Sequence, residues 1–150
     1  MVTVYDVPPN RLIDELKEEL KENENIVYPE WAKFVKTGAH KEEAPMQQDW
    51  WFKRVSAILR SVYTKGPIGI SKLKGKYGGR QAKGVRPKHA AKGSGSIIRE
   101  SLQQLEKAGF VDKTEKGRVI TSDGQSLLDD LSYDIMKDMA KDNPELSKYL

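Results

Sequence analysis

Ser94–Thr121 reads SGSIIRESLQQLEKAGFVDKTEKGRVIT, and the change of rhythm inside it decides the fold. Ser94 or Ser96 can cap a helix reaching Lys107, since a serine hydroxyl satisfies an amide of the first turn. Ile98, Leu102 and Leu105, with Ile97 alongside, recur at the spacing of one helical face. Gly109 supplies the stop. Val111–Thr114 and Arg118–Thr121 are then short β-capable runs around Glu115-Lys116-Gly117, a hairpin signature.

Upstream, two more helices precede this unit. Asp49–Thr64 places Trp51, Val55, Ile58, Leu59 and Val62 on one side, as a core stripe. Opposite them fall Trp50, Lys53, Arg54, Ala57, Arg60 and Ser61. A Trp beside three cations could stack on a base while the cations pair with phosphates; equally, Trp50 could pack beneath the N-terminal helices. Gly66-Pro67 breaks the chain, and Ile68, Ile70, Leu73 and Tyr77 suggest a short helix ending at Gly78-Gly79. Three helices followed by a small hairpin is the winged-helix order. Between the second and third lies Gly78–Gly95, GGRQAKGVRPKHAAKGSG, with five Gly, one Pro and, counting His89, six basic residues. It reads as a long loop, largely mobile in the free protein and ordered by a ligand.

The flanks are helical too. Leu12, Leu16 and Leu20, with Ile13, stripe an amphipathic helix over Asn10–Glu24 whose outer face is acidic. Tyr28–Gly38 suggests a short packing helix, with Pro29 at its start and Trp31, Phe34 and Val35 on one face. Thr37–Gln48 has no periodicity and reads as a loop. Leu127, Leu128, Leu131, Ile135 and Met139 predict a last helix over Ser122–Ala140, ending before Asn143-Pro144. The expected fold is mainly α: one domain over residues 1–150, with an N-terminal helical extension (1–48), a winged-helix core (49–121), and a C-terminal helix with an acidic tail (122–150).

Net charge is only +4, but the charges are segregated. Residues 1–49 hold six Lys/Arg against eleven Asp/Glu, and residues 122–150 hold three against seven. No acidic residue lies between Asp49 and Glu100. That interval holds thirteen cations: Lys53, Arg54, Arg60, Lys65, Lys72, Lys74, Lys76, Arg80, Lys83, Arg86, Lys88, Lys92 and Arg99. Such a block repels itself in the compact state unless a polyanion, or the acidic flanks folding back, relieves it.

Chemistry has few tools here. With no cysteine there is no disulfide or thiolate metal site, and His40 and His89 are the only imidazoles. Neither has a helical partner at metal-ligand spacing, and both read as surface residues. Gly69-Ile70-Ser71-Lys72-Leu73-Lys74-Gly75-Lys76-Tyr77 misses a phosphate loop twice: five residues separate the glycines, and Tyr77 replaces the magnesium-binding hydroxyl. No cofactor and no enzymatic activity are expected. No apolar run approaches the roughly 20 residues of a membrane-spanning helix, and the first ten residues lack a secretory pattern, so a cytoplasmic location is expected.

Several ordered motifs carry a resemblance. They are Val4-Tyr5-Asp6-Val7, Pro29-Glu30-Trp31-Ala32-Lys33-Phe34-Val35-Lys36-Thr37-Gly38, Asp49-Trp50-Trp51-Phe52 followed by Arg54, Tyr77-Gly78-Gly79-Arg80, Lys92-Gly93-Ser94-Gly95-Ser96 and Leu102-Gln103-Gln104-Leu105-Glu106. From the first residues to about Leu131 the chain resembles the archaeal and eukaryotic small-subunit ribosomal protein nineteen-e family. The resemblance implies a winged-helix core, a place in the small-subunit head, a need for the protein in maturation of small-subunit ribosomal RNA, and no enzymatic activity. It maps RNA-facing positions onto Trp50, Arg54, Arg60, Gly78, Gly79, Arg80 and Arg99. Charge and periodicity add Lys53, Lys76, Lys83, Arg86, Lys88 and Lys92 to that expected surface. Past Leu131 the acidic Asp134, Asp138, Asp142 and Glu145 depart from the basic end of eukaryotic members.

The expected partners are small-subunit ribosomal RNA and neighbouring small-subunit proteins, with no membrane and a monomeric free state. Two other classes compete. A winged-helix DNA-binding regulator would insert its third helix into the major groove, yet that helix offers Glu100, Gln103, Gln104 and Glu106 beside Arg99. A protein-interaction adaptor would use the acidic terminal helices instead.

Overall fold

The computed structural model describes residues 2–150, and of Lys83 only the backbone. Element order follows from local chemistry. Helix α1 (Pro9–Lys21) starts with a proline whose fixed φ suits the first turn, and it buries Leu12, Leu16 and Leu20. Helix α2 (Trp50–Lys65) is central, packing against α1, against α4 (Gly95–Lys107) and against α5 (Ser122–Asp142). Trp51, Val55, Ile58, Leu59 and Val62 are fully buried on it, as their spacing predicts. Ser56 and Ser61 are buried as well, each hydroxyl donating to the carbonyl four residues back, at Phe52 and Ala57. The solvent-facing side of α2 is therefore narrower than its apolar periodicity suggests.

Helix α3 (Ile70–Lys76) is short and inserts Leu73 beneath α4. Ser94 caps α4, accepting from the Ile97 amide. Strands β3 (Val111–Thr114) and β4 (Gly117–Ile120) form the expected hairpin, in register Val111↔Ile120 through Thr114↔Gly117. Ile68, in the α2–α3 link, exchanges two backbone hydrogen bonds with Arg118, at 3.1 and 2.9 Å, adding a one-residue third strand. Gly117 permits this approach: its φ is +129°, and a Cβ there would meet the Ile68 backbone at 2.7 Å. Thr121 then caps α5 through the Gly124 amide.

Three expectations need correction. Gly78–Gly95 is not an irregular loop: Gly79–Lys83 and Arg86–Ala91 are antiparallel strands β1 and β2. Their backbone groups satisfy one another, without the apolar alternation that normally announces a strand. The Tyr28–Gly38 segment makes only a 3-10 turn, Glu30–Phe34, and only Ala32 in it is buried. Phe34 is not a packing residue; it is 85% exposed. The last helix runs two residues past Ala140 and is followed by a 3-10 turn, Pro144–Tyr149. The fold is mainly helical with two small hairpins, and one connected apolar core joins residues from Val2 to Met136.

Candidate RNA interface

The expected surface divides into a knot, a ribbon and a cleft. The knot lies where α2 faces α3. Arg54 lays its guanidinium over the Tyr77 ring, 4.2 Å from the centroid. Lys76 donates to the Ser61 hydroxyl, which lies 3.4 Å from the Tyr77 hydroxyl. Burial lowers the Arg54 pKa and raises that of Tyr77. Burial also lowers the Lys76 pKa, and the fields of Arg60 and Lys65 lower it further. Arg60 keeps a buried Nε with no hydrogen-bond partner. Like charges held this close are unfavourable in the free protein, and an anion would relieve them.

The ribbon is the β1–β2 hairpin. Arg80 pairs with Ala90, whose face Lys88 shares by alternation, and a register shift between Gln81 and Lys83 breaks that alternation before Arg86, so the exposed cations of the ribbon are spread over both of its faces. Gly84 turns the tip at φ +68°, leaving Val85 fully exposed. Gly78 and Gly79 form the base. A Cβ on Gly78 would lie 2.3 Å from the Ala91 carbonyl oxygen and 2.9 Å from the Lys92 Cα. These two glycines, which the family resemblance maps onto the RNA-facing surface, are also tightly packed: a Cβ on Gly79 would lie 2.9 Å from the His40 Cδ2. Gly78→Ala is expected to destabilise the protein by about 1–3 kcal/mol, because backbone must move to admit the methyl. An unchanged urea midpoint would contradict this.

The cleft, about 790 Å³, lies between the 3-10 turn and the start of α4. Lys92 and Arg99 border it, together with Trp31, Phe34 and Lys36, which periodicity alone had assigned to a packing helix or passed over. Its floor is an isolated bridge, Gly38↔Gly93, beside a hydrogen bond of 2.9 Å from the Ser94 amide to the Thr37 carbonyl.

Two aromatic and imidazole readings are revised. Trp50 is 7% exposed, its indole donating to the Tyr28 hydroxyl at 3.0 Å and its ring edge-to-face with Trp51, so it packs beneath the N-terminal segment rather than offering a free stacking face. His40 is only partly exposed. Its ring would obstruct a Cβ at Gly38 or Gly79, and its Nδ1 is buried without a partner. His89 is exposed, as expected, and so is Lys53. The expectation for the Lys83 side chain lies outside the described residues.

Among the described residues, the acidic flanks make no ion pair with this surface. Ion pairs join Lys17 and Lys21 to Asp49, Lys21 to Glu18, Arg118 to Glu106 and Lys141 to Asp138. Among the described residues, no cation from Lys53 to Arg99 lies within 4.0 Å of a carboxylate. Asp49, the nearest acid along the chain, has its pKa held below the usual carboxylate range by the hydrogen bond from Lys17, with Lys21 adding to the effect.

Fold and charge together define a class: a small, mainly helical protein with a cationic surface that, among the described residues, its own carboxylates leave unpaired. The family model described as Ribosomal protein S19e matches residues 3–138. A small ribosomal subunit protein eS19 from Thermoplasma acidophilum is 45% identical over 150 residues, covering all of both chains. One from Haloarcula marismortui is 46% identical over 99% of both, and eS19B of Schizosaccharomyces pombe is 39% identical over 91% of this chain and 96% of its own. The chain belongs to the ribosomal protein S19e family; it is a structural ribosomal protein and not an enzyme.

Proposed function

We propose that this protein is a component of the small ribosomal subunit that binds small-subunit ribosomal RNA through the ribbon and the knot. The observation carrying this reading is the β1–β2 ribbon. It is largely solvent-exposed and carries Arg80, Arg86 and Lys88, each exposed. A lone two-stranded hairpin is marginally stable in water, so a cationic one is well matched to a polyanionic support. Placement in the subunit head and a role in maturation of the ribosomal RNA precursor rest on the resemblance to the family alone.

In this reading α2, α3, α4 and the β3–β4 hairpin are a winged helix, the Ile68–Arg118 bridge being the short third strand of the wing. The whole chain is one domain, the 1–48 extension packing α1 on α2 and the 122–150 segment packing α5 on α1. The free protein is a monomer, and its place in the cell is the cytoplasmic ribosome beside neighbouring small-subunit proteins. Among the described residues, no helix is long and apolar enough to cross a membrane.

The geometry disfavours a major-groove reader. On α4, Gln104 is consumed by Trp51 and the Val27 carbonyl, and Glu106 by Arg118. Glu100 stands among the polar groups left on that helix, Ser96, Arg99, Gln103 and Lys107, and opposes approach to phosphate, whereas the cations on the knot and ribbon, with no carboxylate between them along the chain, suit a folded RNA recognised by phosphates and shape.

Sedimentation of a lysate on sucrose gradients at low and high salt tests the proposal. Co-migration with the small-subunit RNA peak at both salts is expected. A purely electrostatic binder neutralising six phosphates would lose about a thousandfold in affinity between roughly 50 and 200 mM salt. Absence from that peak at both salts would overturn the reading in favour of a DNA regulator or an adaptor.

A further inference from the structure

We propose that the cleft between the Glu30–Phe34 turn and the N-terminal end of α4 holds one unpaired RNA nucleotide, its base stacked on Phe34 and its phosphate met by Lys36, Lys92 and Arg99. This rests on the RNA-binding reading and adds to it a site for a single base. Its volume, about 790 Å³, falls within the roughly 300–1,000 Å³ typical of small-ligand sites.

The lining has what an unpaired nucleotide requires. Phe34 gives almost its entire ring to solvent, a poor arrangement for an apolar side chain and a good one for a stacking platform. Trp31 beside it is anchored edge-to-face on buried Trp51, centroids 5.8 Å apart, which steadies the wall. Three cations line the cleft against one carboxylate, Glu100, and none of the three has an ion-pair partner among the described residues.

The wall and the opposite rim are stapled together. The Gly38↔Gly93 bridge and the Ser94–Thr37 hydrogen bond join the segment following Phe34 to the residues preceding α4. The cleft is thus largely formed before a ligand arrives, which spares ordering entropy. Lys92 directly follows Ala91, the last residue of β2, so a polyanion tracking the ribbon reaches the cleft without a gap. An acidic peptide could meet the same cations, but this continuity with the ribbon favours RNA. A paired base cannot use the site, because its faces are already occupied by stacking neighbours; a bulged or loop nucleotide can.

The test uses the full chain bound to transcribed small-subunit ribosomal RNA. Ultraviolet irradiation followed by peptide sequencing is expected to find a nucleotide adduct at Phe34. Phe34→Leu should lose the adduct and weaken binding roughly 5- to 100-fold, as expected for one stacked base, while Phe34→Trp should keep both. Phe34 is exposed, so these variants are expected to fold. Adducts on the ribbon with none at Phe34, and unchanged affinity of Phe34→Leu, would overturn the cleft proposal while leaving RNA binding intact. Failure of the chain to bind the RNA at all would overturn both.

Discussion

Replacing Arg80, Arg86, Lys88 and Lys92 together by alanine lowers the slope of log affinity against log salt by about 2.8–3.6, since each phosphate contact contributes about 0.7–0.9 to that slope. The effect is this large because none of these cations is engaged within the protein. Each is exposed, and none makes an ion pair among the described residues. For the same reason their removal leaves the core untouched, and the variant's thermal transition should match the parent's. The knot provides the contrast. Arg54→Ala and Arg60→Ala should each lower the slope by about 1, and Arg54→Ala also uncovers the Tyr77 ring. Titration with transcribed small-subunit RNA at several salt concentrations measures these slopes. A quadruple variant whose slope equals the parent's would remove the ribbon from the interface.

Trp51→Ala is expected to destabilise the protein by about 3–5 kcal/mol, as for other buried aromatics truncated in a packed core. Against a typical domain stability of about 5–15 kcal/mol, that is enough to leave a substantial unfolded fraction in a marginal case. Trp51 is fully buried, meets Trp31 and Trp50 edge-to-face at 5.8 Å each, and donates to Gln104 at 3.1 Å. Its loss opens a cavity at the α2–α4 contact, removes a donor from Gln104 and takes away the support of the cleft wall. Trp51→Phe keeps most of the apolar volume and should be milder. Urea denaturation followed by circular dichroism measures both, and a loss below about 1 kcal/mol in Trp51→Ala would contradict the packing described.

The helices were legible because each has one apolar face and a recognisable end. Leu12, Leu16 and Leu20 predicted α1; Ser94 and Gly109 bracketed α4; and Gly117 marked the β3–β4 turn. The β1–β2 ribbon was illegible for a physical reason. A hairpin that buries neither face needs no alternation, and GRQAKGVRPKHAA resembles a loop in every property that composition measures. Trp50 was ambiguous because helical period assigns a direction around an axis and says nothing about what lies there. The N-terminal segment, with the hydroxyl of Tyr28, fills that space.

The sequence by itself determined the helical core, the order of helices and hairpin, and the segregation of charge, since these depend on local period, capping and composition. The six ordered motifs also sufficed for the family resemblance. Tertiary structure alone decided that the described cations of the basic block make no ion pair, that Gly78 and Gly79 close the base of a ribbon, and that Phe34 stands exposed beside Lys92 and Arg99. Those facts depend on approaches between positions 13 to 55 residues apart, Gly78 with Ala91 and Gly38 with Gly93. No periodicity along one segment can encode the distance to another, because the core that brings them together is built from all of them at once.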